Sequence, residues 1–139
     1  MSCILRISGE NLNIDALLDS VEIKPYKIWH SGEPRSKSRP DGKRSTTSGA
    51  SFLASDADFS EFDLQVKEVT SFLRKHREDI TVMAEHEDGE YPLLDFGIEL
   101  RDVAIHGDFL PLPLLEAAVA ARVSILLSHY PCPEGEGDN

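Results

Sequence analysis

Imidazole side chains, which can carry acid–base chemistry near neutral pH, are scattered along this sequence. The five are His30, His76, His86, His106 and His129. Their spacing matches neither a zinc site nor a catalytic triad, and there is no Gly-x-Ser-x-Gly, His-Glu-x-x-His, Cys-x-x-Cys or phosphate-binding glycine motif. We therefore expect no metal, no cofactor and no established catalytic residue.

One histidine nevertheless has a carboxylate close by in the sequence. Gly107 and Asp108 follow His106, and residues 105–110 weakly repeat residues 7–12, so that Gly107-Asp108 matches Gly9-Glu10. If the two repeats shared one sheet, Glu10, His106 and Asp108 could meet at its end and move protons near neutrality. This predicts a small-molecule-binding or enzymatic site, and the alternative is that His106 is a hydrogen-bonded turn residue.

The carboxylates form clusters that favour a partner surface over a metal site. One cluster comprises Asp56, Asp58, Glu61 and Asp63, and the other Glu85, Glu87, Asp88 and Glu90. Neither has the alternating ligand register, central glycine and distal glutamate of a calcium loop. Trp29 and Tyr91 are the apolar anchors that we expect beside these charges. The alternative readings are that the first cluster is a solvated helix start, that the second is a solvated hairpin tip, and that Trp29 is a core residue.

Overall composition describes one acidic globular domain. The 139 residues are 40% hydrophobic and 28% charged, and 14 Lys and Arg against 25 Asp and Glu give a net charge of −11. Such a charge repels a phosphate backbone unless the cations are gathered into one patch. No apolar run reaches the roughly 20 residues of a membrane span, and the first residues do not resemble a secretory signal. We expect a cytoplasmic protein without membrane contact.

Half of the cations lie in one segment. They are Lys24, Lys27, Arg35, Lys37, Arg39, Lys43 and Arg44, accompanied by Glu33 and Asp41 alone. Residues 32–49 lack apolar periodicity, which predicts a mobile basic loop. Binding of RNA or of an acidic partner through residues 35–44 is one reading, and a solvated insertion between strands is the other. We favour the insertion because residues 32–49 contain no aromatic residues that interleave with the cations for base stacking.

Periodicity places these residues on a small number of elements. Strands are predicted at residues 2–8, 26–29, 51–54, 80–84, 94–100 and 123–130, with a continuation at 103–105. Helices are predicted after Asn13, at 60–77 behind a capping box of Ser60 and Asp63, and after Pro111. These elements predict an α+β fold, an antiparallel sheet with three helices, built from ferredoxin-like βαβ units that the repeat suggests are duplicated.

Three short stretches resemble the bacterial domain-of-unknown-function family 4279. They are Leu5-Arg-Ile-Ser-Gly-Glu-Asn-Leu-Asn-Ile-Asp15, Val21-Glu-Ile-Lys-Pro25 and Trp29-His-Ser-Gly-Glu-Pro34. The closing helix and strand over 114–130 are similar as well, so that the resemblance covers residues 3 to 131. It implies a small bacterial α+β domain and no activity or catalytic residue.

These observations favour a non-catalytic, acidic protein-binding module. We expect residues 1–131 to form its single domain and residues 132–139 a disordered acidic tail. A basic protein is the partner that the acidic body would attract, and a toxin-neutralising immunity or inhibitor protein is the sharpest form of this hypothesis.

Overall fold

The computed structural model describes residues 2–36, 38–86, 88–100, 104–105 and 107–131. This part of the chain forms one five-stranded sheet in the order β2-β3-β1-β4-β5. The strands are β1 (Cys3–Gly9), β2 (Lys27–Trp29), β3 (Ser48–Ser55), β4 (Leu93–Glu99) and β5 (Ser124–Tyr130). Neighbouring strands are antiparallel except β4 and β5, which are parallel.

Four helices in the same residues complete an α+β fold. They are α1 (Ile14–Asp19), α2 (Phe62–Lys75), α3 (Arg77–Ala84) and α4 (Leu112–Ala121). Asn13 caps α1 as predicted, because its side chain accepts a hydrogen bond from the backbone N–H of Ala16 at 3.1 Å. The strands predicted at 2–8, 26–29, 51–54, 94–100 and 123–130 are confirmed, as are the helices that follow Asn13 and Pro111.

Alternation along the strands gives the sheet one buried face and one open face. On β1, Leu5 and Ile7 are buried and pair with Phe52 and Ala50 of β3. Burying these side chains removes them from water, which is the main favourable term in folding. The buried face of the helices joins the same core through residues that include Val69, Leu73, Ile80, Met83 and Leu114. The helices therefore cover one face of the sheet.

The opposite face carries the residues between those core positions. Ile4, Arg6 and Ser8 alternate with the core residues of β1. A guanidinium nitrogen of Arg6 lies 3.6 Å from one carboxylate oxygen of Asp95 on β4. The other carboxylate oxygen accepts a hydrogen bond from the Ser128 hydroxyl of β5 at 2.6 Å. We call this surface the open face.

Three features of the prediction are wrong. Residues 80–84 belong to α3, so that the described chain has four helices where three were predicted. The sheet is mixed, because α4 returns the chain to a β5 strand that runs parallel to β4. No capping box forms, since the Ser60 hydroxyl donates to Asp58 and the N-cap of α2 is Glu61.

The basic segment is a hydrogen-bonded hairpin arm, here called the basic arm (residues 31–47). Backbone N–H groups of Gly32, Ser45 and Arg35 donate to Ser45, Glu33 and Lys43 respectively, each at 2.8 Å. Most of its described side chains are exposed, and the remainder are half-buried. Ser48 and Gly49, predicted to end the loop, begin β3. The mobility of the arm stays a prediction.

Candidate functional site

The two acidic clusters lie at opposite ends of the sheet. The backbone N–H of Glu99, at the end of β4, donates to Phe59 at 3.1 Å, which fixes residues 56–63 beside the start of β1. The N–H of Glu90 donates to Ser8 at 2.9 Å, which fixes the second cluster beside the end of β1. A seven-residue strand separates its ends by about 20 Å. The clusters therefore form two separate surfaces.

The first cluster contributes to a groove of about 560 Å³, here called the acidic groove. Its carboxylates come from Glu61 and Asp63 and, from distant positions in the sequence, from Glu99 and Asp108. Lys67 is the only cation among the described residues that line it. Phe59 and Phe109 supply exposed aromatic surface, 39% and 74% exposed respectively.

A small set of polar contacts holds this groove in shape. Asp58 accepts two hydrogen bonds from Ser60, from the backbone N–H at 3.0 Å and from the hydroxyl at 2.8 Å. These bonds lower the pKa of Asp58 below its ordinary value, since they favour the charged carboxylate. The buried amide of Gln65 donates to Gly97 at 2.9 Å and to Asp58 at 3.3 Å, which ties the loop to β4.

The Asp108 side chain is largely buried, with 9% of its surface exposed. It lies 2.8 Å from Nε2 of His129 on β5, so that the segment before α4 is attached to the edge of the sheet. Asp56 and Asp58, which belong to the same cluster, are exposed beside the groove and do not line it. The structure thus brings two of the four predicted carboxylates together with two that clustering in the sequence does not associate.

The predicted anchors do not reach the acidic groove. Trp29 lies on the open face at the far end of the sheet, where it pairs with Gly49 and its indole N–H donates to the Thr47 hydroxyl at 3.2 Å. Tyr91 is 61% exposed and follows Glu90 at that same end. Glu85 and Asp88 are exposed there too, whereas Glu87 lies outside the described residues.

The alternative site is not assembled from the residues that can be placed. Glu10 is exposed and follows Gly9, where β1 ends against Ser48. Asp108 contacts His129, which pairs with Ile98 near the beginning of β1. Glu10 and Asp108 therefore lie at opposite ends of the sheet, and His106 is outside the described residues. In the described ranges, no three His, Cys, Asp or Glu side chains form a group that could hold a metal ion.

The residues that sequence reasoning missed are Phe59, Glu99 and Phe109. Each is ordinary in its local context, and only the hydrogen bond from Glu99 to Phe59 and the position of Phe109 before α4 gather them. Alternation predicts that Glu99 points away from the core, but it does not predict which loop the side chain meets.

No helix within the described ranges is long and apolar enough to cross a membrane. Comparisons with protein-family models, with curated proteins and with solved structures find no match. The resemblance to the bacterial family stays a prediction.

Proposed function

We propose that this chain is a non-catalytic acidic protein-binding module that captures a basic partner at the acidic groove. One observation carries the proposal: four carboxylates and exposed aromatic rings share one groove, in which Lys67 is the only cation among the described lining residues. Exposed aromatic rings supply large apolar contacts at protein interfaces, and surrounding carboxylates steer a cationic partner toward them.

The groove is suited to binding because its loop is fixed before a partner arrives. Phe59 stacks on Tyr130 of β5 with ring centroids 5.6 Å apart, and its backbone carbonyl is bonded to Glu99. A preorganised surface loses little conformational freedom on association. Asp108, bonded to His129, contributes field and shape more than a direct contact.

The sharper form of the proposal is a toxin-neutralising immunity or inhibitor protein. Its support is electrostatic, since a net charge of −11 raises the association rate with a basic protein whose natural ligand is a nucleic acid. The second cluster, at Glu85, Asp88 and Glu90, would face a different part of such a partner.

We also infer a ferredoxin-like arrangement for the first four strands. The support is their order, β2-β3-β1-β4, together with the helical connections between β1 and β2 and between β3 and β4. Both β1-α1-β2 and β4-α4-β5 are strand–helix–strand units, which is the support for duplication. Gly107 lies eight residues beyond the end of β4, whereas Gly9 ends β1, so the aligned glycines occupy different positions.

The test compares two double variants with the same change in charge. Glu61→Lys with Asp63→Lys reverses the acidic groove, and Glu85→Lys with Glu90→Lys reverses the cluster at the opposite end of the sheet. Each is used as bait beside the unmodified protein in cells of the native host, and captured proteins, including products of adjacent genes, are titrated by calorimetry. We expect the groove variant to weaken partner binding at least tenfold and the control to change it less than threefold.

Stability must be measured in parallel, because cations in the first turn of α2 oppose the helix dipole and cost about 0.3–1 kcal/mol each. Glu61→Gln with Asp63→Asn avoids that penalty and should still weaken binding. Equal effects of both lysine variants, or recovery of a small metabolite alone, would contradict the proposal.

A further inference from the structure

The open face holds a second groove whose charge is opposite to that of the molecule. Its volume is about 780 Å³. Five cations line it, of which Arg6 is paired with Asp95, and no Asp or Glu is present among the described lining residues. The cations are Arg6, Lys27, Arg35, Lys43 and Arg44. In a chain of net charge −11, we call this concentration of positive charge the basic groove.

The cations come from three separate stretches of chain that the fold brings together. Arg6 belongs to β1 and points to the open face because it alternates with the core residues of that strand. Lys27 belongs to β2 and points to the same face because it pairs with Ser51 of β3. Arg35, Lys43 and Arg44 belong to the basic arm, which folds beside that face. An Arg44 guanidinium N–H donates to the carbonyl of Gly32 at 2.8 Å, so that the arm is braced across its base.

Aromatic rings lie beside these cations. Trp29 and Tyr26 line the same groove, and Tyr26 is 52% exposed. The N–H of Tyr26 donates to Ser51 at 2.8 Å, and the indole N–H of Trp29 donates to Thr47. Backbone pairing and this side-chain bond therefore hold the two residues in place. Hydroxyl groups of Ser45, Thr46 and Thr47 line the wall that the arm contributes.

The aromatic surface continues across the open face. A smaller hollow of about 150 Å³ shares Ile4 and Tyr26 with the basic groove and is lined also by Phe59 and Tyr130. These two rings stack on each other beside Gly97, where an added Cβ would lie 3.2 Å from Phe59 and 3.3 Å from Tyr130. Tyr26 thus links the ring surface of Trp29 to that of Phe59 and Tyr130; the cations line the basic groove, and the Asp95 carboxylate lines the smaller hollow.

We propose that the basic groove binds a short stretch of single-stranded nucleic acid. Phosphates lie along the cations of the arm, and unpaired bases stack on Tyr26 and on the accessible part of Trp29. Stacking needs free base faces, which a duplex does not offer, and cations with aromatic rings are the usual elements of single-strand sites. An acidic peptide would use the cations but would leave the ring surface without a matching partner.

This site is distinct from the acidic groove and goes beyond the proposed function. Residues 32–49 contain no aromatic residue, which favours a solvated insertion over a nucleic-acid site. The fold supplies aromatic rings from outside residues 32–49, because the basic arm lies against the open face that carries Tyr26 and Trp29. The acidic remainder of the molecule limits the affinity and makes it strongly dependent on salt.

Trp29 is the only tryptophan, so its fluorescence reports on this groove directly. The unmodified protein is titrated with 15-nucleotide oligouridylate and, separately, oligothymidylate at low salt. We expect saturable quenching with both, and the ratio of the two affinities identifies the preferred sugar. For single strands each phosphate contact contributes about −0.7 to the slope of log affinity against log salt.

Each of the two matched double variants lowers the net charge by four units. Arg35→Glu with Lys43→Glu acts on the arm, and Lys75→Glu with Arg77→Glu acts at the junction of α2 and α3, on the helical side. The arm variant should weaken oligonucleotide binding at least tenfold and reduce the salt slope by about 1.4. The helix variant should change affinity less than threefold. Tyr26→Ala should weaken binding with the salt slope unchanged.

Three results would overturn the proposal. The first is no quenching and no change in the anisotropy of a labelled oligonucleotide at millimolar protein in low salt. The second is equal weakening by both charge variants, which would mean that bulk charge alone is responsible. The third is binding of oligoglutamate as tight as that of oligouridylate and equally sensitive to the arm variant, which would assign the groove to an acidic protein. The Glu61 and Asp63 variants should leave oligonucleotide binding intact, so that this test and that of the proposed function fail independently.

Discussion

At the scale of single residues, Trp29 has its position because Gly49 has no side chain. The two residues pair across β2 and β3, and a Cβ added to Gly49 would lie 2.5 Å from Cζ2 of the indole. It would also meet the carbonyl oxygen of Ile7 on β1. The tryptophan that was predicted to anchor a protein partner therefore packs along the sheet.

Gly49→Ala should destabilise the fold and move the indole. Steric overlap in a packed site costs about 1–3 kcal/mol, and the displaced ring should shift the emission maximum of Trp29. Gly107→Ala is the control, because an added Cβ there has no heavy atom within 4 Å in the described structure. Urea denaturation followed by circular dichroism measures both variants. An unchanged midpoint for Gly49→Ala would contradict this account of the contact.

Clusters of like charge in the sequence identify some residues of each candidate site, but they do not identify the others. Asp63 and Lys43 stand out because their neighbours in the sequence carry the same charge. Arg6 and Glu99 do not stand out, since each is one charged residue on the outer face of an alternating strand. Their grouping depends on strand order and register, which are set by contacts between residues far apart in the sequence.

At the scale of elements, α3 shows why the residues 80–84 were predicted as a strand. Ile80, Thr81 and Val82 are β-branched and favour extended chain. The competing signal is the three-residue spacing of Ile80 and Met83, both fully buried on one helical face, and the packing of α3 against α4. The Thr81 hydroxyl also donates to the Arg77 carbonyl at 2.8 Å. Tertiary packing outweighs the local preference here.

The helix α2 and the strand β4 were predictable, because the spacing of apolar residues within each segment shows which side chains are buried. The parallel pairing of β5 was not, since nothing within residues 124–130 distinguishes a parallel from an antiparallel neighbour. The connection through α4 decides it. Parallel neighbours need a crossover connection, usually a helix, and α4 is that connection between β4 and β5.

The residue that ends α4 has a backbone conformation that costs stability. Arg122 adopts a left-handed backbone with φ of 61°, and the N–H groups of Val123 and Arg122 donate to the carbonyls of Ala118 and Val119. This is a Schellman ending, in which glycine is the usual residue at the left-handed position. Arg122→Gly should raise the free energy of unfolding by about 0.5–1 kcal/mol by relieving this strain.

Arg122→Ala is the matched control, because it removes the same side chain and keeps the unfavourable φ. Chemical denaturation of the three proteins separates the two effects. Equal stabilisation by glycine and alanine would show that the side chain, and not the backbone, is the source of the gain.

At the scale of the whole molecule, charge is separated into an acidic groove at one end of the sheet and a basic groove on its open face. Between them lies a neutral core on which both depend. Cys3 belongs to this core: it is fully buried in β1 and pairs with Ser55 and Phe96 on either side. Its thiol therefore reports on the integrity of the sheet.

Stability should fall in alkaline solution through this thiol. Burial, and secondarily the negative charge of Asp95, raises the pKa of Cys3 far above its ordinary value of 9.0. Above that pH the thiol ionises in the unfolded chain but stays protonated in the folded one, so the unfolded state is favoured by up to about 1.4 kcal/mol per pH unit. Cys3→Ala removes this contribution. Urea denaturation between pH 8 and 10.5 should show the advantage of the unmodified protein over the variant shrinking, and a constant difference would contradict the assignment.

The central position of β1 also governs how the chain can fold while it is being made. Residues 3–9 leave the ribosome before their two neighbours in the sheet, which are residues 48–55 and 93–99. At about 5–20 residues per second, roughly 5–20 s pass before the second neighbour has been synthesised. During that interval Leu5 lacks Leu94, its partner on β4, so the apolar face of β1 stays incompletely covered and is a natural ligand for chaperones.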